Sequence, residues 1–574
     1  MTNREVAEVF ERIADLLEIK GEMIYRILSY RRAAEAILAL GRDIHDVWKE
    51  GELREIPGVG QAIAAKIDEL LSSGKMEFFE GLKRDVPLSL TEVLRVGDVG
   101  PKRAARFWRE LGITTVDGLE QAARAGKLRG MSGMGEKSEA RILERIEALK
   151  RRETARISIG VARPIAERLV ERLRRVEGVV AAEAAGSVRR WRDTIGDLDL
   201  IAASDKPGDV LRAFSSFEEV GRVLSLGDTK TSAELHDGLR VQLWVHPPAR
   251  FGSALQYGTG SQAHNVRLRE LAQDRGLSLS EHGFKDNQGG ETLCADEASV
   301  YRTLGLPWIP PELREDRGEL AAAASGRLPD LLEAEQVRGE FHAHTDWSDG
   351  AATLAEMAEG ARDEGLEYLV ITDHTKSLGM VNGLTPERLR RQRRDLDRVQ
   401  EQMGGSFRLL QGAEVEILAD GTLDFEDHVL AGIDLVVASI HTSLRQPRDK
   451  ITARLLSAIR NPHVDMIGHP TGRLVLSREA ADLDIRPILE EAADHGVVLE
   501  INAHPERLDL NDVHSRQAWE TGCLVAINSD AHRPEDFALR RYGVAVARRA
   551  WLPAEAVLNT RSVQDVLRWL QSRG

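Results

Sequence analysis

From residue 338 onward, short apolar runs alternate with amphipathic stretches, and run after run stops on a side chain that can hold a metal ion. RGEFHAHTDWSDG (338–350) carries His342 and His344, with Asp349 just beyond. Residues two apart on a strand share a face, so both histidines point the same way. LEYLVITDHT ends at His374, RLLQGAEVEIL supplies Glu414, and LVVASIHTS supplies His441. VDMIGHPTG adds His469, and CLVAINSDAH adds Asp530 and His532. Buried strands separated by helices predict an α/β barrel or wound sheet, in which all strand C-termini open at one mouth. One histidine alone is more often a satisfied core or solvated residue, but nine ligands at strand ends predict a metal cluster. They suffice for two to three cations with shared bridges and positions left for water, a set suited to phosphoester hydrolysis. His504, in LEINAHPE, is expected near the same rim.

At 574 residues the chain is too long for one core, and several domains are expected. The N-terminal MTNREVAEVFERIAD is charged and lacks the apolar region of a secretory signal. No apolar run approaches the roughly 20 residues of a membrane span. Cys294 and Cys523 form no disulfide framework, which fits a reducing cytoplasm. The net charge of −15 is uneven: residues 91–190 carry +8, whereas 321–574 carry −12. This polarity suggests phosphate binding early in the chain and cation binding late.

Residues 1–155 read as helical throughout, and three segments share a helix, Gly-rich turn, helix design: 53–71 (LREIPGVGQAIAAKIDELL), 96–111 (VGDVGPKRAARFWREL) and 131–146 (MSGMGEKSEARILERI). Such turns leave backbone N–H groups free at a helix start, where they hold a phosphate without reading bases. Gly58, Gly60, Gly97 and Gly100 are the candidate turn residues, with Lys102, Arg103 and Lys137 following. The repetition favours helix-hairpin-helix DNA binding over simple tight turns.

From 156 strands mix with helices. In GSVRRWRDTIGDLDLI (186–201), Asp197 and Asp199 lie two apart on an apolar strand and share a face. Neighbouring carboxylates repel, an arrangement that a divalent cation stabilises. The turn at Gly186 and Ser187 can offer N–H and hydroxyl groups to a triphosphate, which Arg190 can neutralise.

These motifs resemble family X DNA polymerases, the DNA polymerase beta family, over residues 1 to about 315. GSVRR…GDLDL resembles the nucleotidyltransferase signature, GDTKT (227–231) the family's GETK, and YGTGS (257–261) its YFTGS. The resemblance assigns Asp197 and Asp199 to Mg²⁺ or Mn²⁺, and Gly186, Ser187, Arg190, Tyr257, Gly260, Asn265 and Arg269 to the nucleotide and template. Lys230 joins the DNA-contacting set. Lys66 matches the Schiff-base lysine of the lyase site, with Tyr30 and Arg26 at 5′-phosphate positions, while a second family lysine is Ala62. The family's third catalytic carboxylate belongs on the strand GLRVQLWV, where this chain has Gln242. An amide carries no charge and accepts no proton, so polymerisation is expected to be weakened, Mn²⁺-favouring or lost. Glu234 and Asp237 are the nearby acids considered as substitutes. Gly258 stands for a family Phe, and His282 for a Tyr.

The C-terminal half resembles a PHP (polymerase and histidinol phosphatase) domain. The expected architecture is multidomain α+β and α/β. It comprises a lyase-like helical domain (1–80), helix-hairpin-helix fingers (81–155), a nucleotidyltransferase palm (156–250), a thumb (251–315), a linker (316–337) and a distorted (β/α)7 PHP barrel (338–574). Fusion of the two implies gap filling and 3′→5′ exonuclease or other 3′-end processing in base excision repair. It also implies gapped or nicked DNA and dNTPs as partners, two to three Mn²⁺, Zn²⁺ or Fe ions in the barrel, and a nucleoid-associated cytoplasmic monomer without membrane contact. The rival readings are a polymerase-inactive, structure-directed nuclease and a small-molecule phosphoesterase.

Overall fold

The structure is a computed structural model. It describes the chain except residues 1–2, 39–43, 57, 95, 98, 155 and 573–574, so Pro57 and Asp98 of the first two turns, and Ala39 and Leu40 at the end of the second amphipathic helix, lie outside the described residues. The chain forms two compact units: 1–156 with 265–279 and 284–291, and 157–264 with 280–283 and 292–574.

In the first unit the described residues up to 154 form helices and turns, as the periodicity predicts. Helices Asn3–Lys20 and Ile24–Leu38 pack through Phe10, Ile13, Leu17, Ile27 and Ala33, all nearly inaccessible to solvent. Gly60 precedes helix Gln61–Ser73, and Gly100 precedes helix Pro101–Leu111. Proline at the first helical position suits that site, because its missing N–H would have no partner within the helix.

In the second unit, five strands run in the order Ala181–Ala184, Leu198–Ala203, Arg240–His246, Lys230–Leu235, Val220–Leu226. The central pair, Leu198–Ala203 and Arg240–His246, is parallel and sets Asp199 beside Gln242. Period-two alternation sends Leu198, Leu200 and Ala202 into the core, leaving Asp199 and Ile201 on the other face. C-terminal to this lies a seven-stranded parallel sheet, taken in chain order from Gly339–Glu340 to Val525–Asn528. A bridge between Ala343 and Ala531, with His344 N–H donating to the Ala531 carbonyl at 2.8 Å, nearly closes it into a barrel.

The segment expected to be a linker is packed instead. Helix Glu319–Ala324 interrupts it, and the Leu332 N–H donates to the Leu552 carbonyl at 3.2 Å. Just before it, Arg314 is fully buried, and Glu319 within it accepts from His264 Nδ1 at 2.7 Å. A Pro-, Ala- and charge-rich sequence suggests solvation, but here the charges find partners inside. Further pairs cross between the five-stranded layer and the barrel: Arg473 with Asp193 at 2.9 Å, Arg548 with Glu312 at 2.9 Å, and the Trp191 ring edge-on to Tyr542.

Glu297 is a second nearly buried, paired carboxylate. It receives two bonds from Arg189, each 2.7 Å, and one from Arg314, also 2.7 Å. Burial alone would raise its pKa, yet the two guanidiniums hold it down at about 2. Because the folded pKa lies below the unfolded value, this stabilisation is full above about pH 4.5 and is lost as pH falls towards 2. Glu297→Gln is expected to cost about 3 kcal/mol at pH 7, and denaturant titrations should show the difference from wild type shrinking below pH 4.

Candidate metal centre and nucleotide site

At the barrel mouth Glu414 is the hub. It is 1% exposed, and His374 Nδ1 (2.8 Å), His469 Nε2 (2.9 Å), His441 Nε2 (3.2 Å), His342 Nε2 (3.4 Å) and His344 Nε2 (3.6 Å) surround its two oxygens. His344 also lies 3.1 Å from Asp530. Asp349 sits 3.5 Å from His374 and 3.4 Å from His532. All nine residues named from strand ends therefore meet in one cluster. Three overlapping groups have ligand atoms within 4.8 Å of one another: His344, Asp349, His374 and His532; His342, His344 and Asp530; His374, Glu414 and His441.

Buried His342 Nε2, His374 Nδ1, His441 Nε2 and Glu414 Oε2 make no hydrogen bond of acceptable geometry despite these close approaches. Buried polar atoms are nearly always satisfied, so a set of orphans facing one point fits cations rather than a hydrogen-bonded core. Protonation tells the same story. Burial and neighbouring histidines hold His344 near a pKa of about 4. At His374 burial opposes the charge, but Glu414 and Asp349 prevail and raise it to about 10.

A second layer escaped the sequence reading. Glu500 accepts from His342 Nδ1 at 2.7 Å and from the His469 N–H at 2.6 Å. Glu416 accepts from His441 Nδ1 at 2.7 Å, and Asp373 receives Thr345, Ser348 and Gln392. Such carboxylates fix the tautomer and aim the other ring nitrogen at the metal. Their signal was present but weak, in the alternation Glu414-x-Glu416 and the run LEIN. Arg507 was also missed; its Nε lies 3.4 Å from Asp530, placing one cation at the mouth. His504 is not among the clustered ligands: its Nδ1 accepts from the Glu506 N–H at 3.3 Å.

In the five-stranded layer, burial and then Asp197 raise the Asp199 pKa to about 7, against the opposing charges of Lys230 and Arg190. Two acids that cannot both ionise comfortably suit a cation between them. Gln242 Nε2 donates to Asp197 at 3.1 Å, so the amide occupies the flank where a third acid was sought. Neither candidate substitute reaches it. Glu234 pairs in register with Arg240, two residues along the strand from Gln242, and Asp237 accepts from the Leu239 N–H.

Gly186, with φ of +60°, leads the short helix Gly186–Arg189, and a Cβ there would collide with the Asp199 carboxylate. Ser187 follows it, half-buried. Arg190, expected to neutralise a triphosphate, is committed elsewhere: it donates to the Thr259 carbonyl at 2.5 Å and to Glu315 at 3.0 Å. It thereby staples the GS turn to the Gly260 turn, whose Cβ position lies 3.2 Å from the guanidinium. Tyr257 is exposed on helix Phe251–Thr259. At Gly258 a Cβ would meet Ile201 Cδ1 at 2.5 Å, so this helix packs where a phenylalanine would not fit. Lys230 covers the Trp244 ring at 4.1 Å, and Trp244, His246 and His282 continue as neighbouring rings.

In the other unit, Asn265 and the exposed Arg269 lie one turn apart on helix Gln262–Gln273. Lys66 and Arg26 both lie over the Phe78 ring, at 5.1 and 5.3 Å, and Tyr30 stacks on the same ring at 5.8 Å. These three sequence-derived residues thus meet at one ring, and Lys66 and Phe78 line a groove together with Lys20 and Arg84. Gly58, Gly60, Gly97, Gly100 and Lys102 are exposed at their turns.

This pairing of a carboxylate-bearing mixed sheet with a histidine-lined parallel barrel defines a class: polymerases of family X that carry a PHP domain. Sequence models agree in order along the chain: a helix-hairpin-helix domain at 1–76, a SAM-like helix-hairpin-helix tandem at 90–148, a DNA polymerase beta thumb at 254–315 and a PHP domain at 340–504. The chain is 37% identical over 575 aligned positions, covering all of both proteins, to the DNA polymerase/3′-5′ exonuclease PolX of Bacillus subtilis (strain 168). It therefore belongs to that family. It is also 26% identical to DNA polymerase lambda of Rattus norvegicus, over 54% of this chain and 56% of that protein.

Proposed function

We propose that this protein extends and trims the 3′ ends of DNA, adding nucleotides at the Asp197–Asp199 site and removing them at the Glu414 cluster. The observation that carries the reading is the convergence of nine ligand side chains, all but Asp349 buried or half-buried, on one mouth, in a chain collinear with an enzyme named for both activities. When bound, the cations would supply a nucleophile at neutral pH and charge stabilisation on the phosphate. The chain's own residues do the rest. Glu500 and Glu416 orient His342 and His441, Asp373 ties down the loop that carries Asp349, and Arg507 offers its guanidinium to a phosphate oxygen.

At the other site Asp197 and Asp199 would hold Mg²⁺ or Mn²⁺. The GS turn and Gly260 turn would receive the triphosphate, with Lys230 in the same unit; Arg269, in the other unit, would contact the template. The helix-hairpin-helix turns bind backbone phosphates of gapped or nicked DNA without base preference. Lys66, with Arg26 and Tyr30, would take a 5′-deoxyribose phosphate, the role proposed for it in base excision repair on chromosomal DNA. Mn²⁺, Zn²⁺ or Fe are the ions proposed for the barrel, and a monomer is proposed in solution. No helix among the described residues is long and apolar enough to cross a membrane.

The test uses one 5′-labelled gapped duplex with Mn²⁺. Wild type should lengthen the primer with dNTPs and shorten it without them. Asp199→Ala should lose only the first and His344→Ala only the second. Lengthening that survives in Asp199→Ala would place synthesis elsewhere.

A further inference from the structure

The turns assigned to the triphosphate are braced by a residue from the far end of the chain. Arg549 closes helix Arg540–Arg549, which packs on the last two barrel strands, and its side chain is 1% exposed. Its Nη1 donates to the backbone carbonyl of Arg190 at 2.7 Å and to Glu315 at 3.0 Å. Its Nη2 donates to Asp512 at 2.8 Å, and Arg317 shares the same Asp512 oxygen at 2.8 Å. Glu315 in turn holds Arg190, whose guanidinium reaches the Thr259 carbonyl between the two turns. The Ser261 N–H donates to the Arg314 carbonyl at 3.0 Å, fixing the other side of the Gly260 turn.

From this relay we propose that Arg549 is a positioning residue for nucleotide binding, so that the polymerase site is complete only with the C-terminal half docked against it. The inference rests on the reading that the GS and Gly260 turns receive the triphosphate. Arg549 touches neither reacting group; it acts through the Arg190 carbonyl and through Glu315. Both acids it faces, Glu315 and Asp512, are nearly buried, at 13% and 10% side-chain exposure. Removing the guanidinium leaves them opposed only by Arg190, Arg192 and Arg317. The arrangement suits a planar fork: the guanidinium serves a carbonyl and two carboxylates from two separate nitrogens, whereas an ammonium would have to reach all three from one point.

The experiment compares wild type, Arg549→Lys, Arg549→Met, Glu315→Gln and the Arg549→Met/Glu315→Gln double variant in the full chain. Single-nucleotide extension on gapped DNA with Mn²⁺ gives KM for dNTP and kcat separately. Hydrolysis of bis(p-nitrophenyl) phosphate reports the barrel centre, and gapped-DNA affinity reports the first unit. The expected result is a roughly tenfold rise in KM for dNTP in Arg549→Met and a smaller rise in Arg549→Lys. In both, kcat, diester hydrolysis and DNA affinity should stay within about twofold of wild type. The double variant should be no worse than the worse single, because both act on one relay. An unchanged KM in Arg549→Met overturns the proposal, as does a parallel loss of extension and diester hydrolysis in Arg549→Lys, which would make the residue merely structural. Wild type that extends no primer and binds no dNTP with Mn²⁺ would instead remove the underlying assignment of the turns.

Discussion

Glu414→Gln is expected to abolish 3′-end digestion, with a loss of at least about a thousandfold, while primer extension at the other site persists. The substitution is nearly isosteric, so the effect is electrostatic. Five imidazoles approach this one carboxylate within 2.8–3.6 Å, and its ionised form is strongly favoured by their charge despite complete burial. The amide would remove the negative charge that Glu414 offers to bound cations and would place N–H donors against ring nitrogens proposed as ligands. Inductively coupled plasma measurement of bound metal per chain should fall by at least one equivalent. Full metal content with full digestion would show that Glu414 is not the hub. Glu500→Gln, by contrast, leaves every ligand in place and should weaken metal binding by about 10–100-fold, recoverable at high metal concentration.

Gln242→Asp is expected to raise the extension rate by roughly tenfold or more and to shift the metal preference from Mn²⁺ towards Mg²⁺. In register Gln242 faces Asp199, and its amide donates to Asp197. An aspartate there removes that donor and adds a third oxygen ligand and proton acceptor at the same point of the ladder. Without metal the change crowds a third charge onto a pair in which Asp199 already sits near a pKa of 7, so the apo variant should be less stable above that pH. Added Mn²⁺ should reverse the loss. A rate no higher than wild type in either metal would mean that Gln242 does not limit synthesis.

The barrel was legible because its signal is local and repeated: each ligand ends an apolar run, and parallel topology does the gathering. The carboxylate pair was legible for the same reason, as two residues on one strand face. What the sequence could not show is who satisfies whom. Arg190 reads as a free cation beside a phosphate turn, whereas its partners, Glu315 and the Thr259 carbonyl, lie about 125 and 70 residues away. The 316–337 segment reads as solvated because charge pairing is invisible in composition. Glu416 and Glu500 are ordinary glutamates until the strands bring them behind His441 and His342. Gly258 looked like a lost aromatic, and became intelligible only once Ile201 was seen across from it.

The ionic seam between the five-stranded layer and the barrel has a consequence for traffic. Arg473–Asp193, Arg548–Glu312 and Arg549–Glu315 tie the segments around the carboxylate pair to the histidine-lined barrel, and the Trp191–Tyr542 contact adds to the same seam. On the proposed function, a misplaced terminal nucleotide would not be reached by swinging one site towards the other. The frayed DNA end would then have to make the journey, and its ease of melting from the template would set how often a terminus is edited.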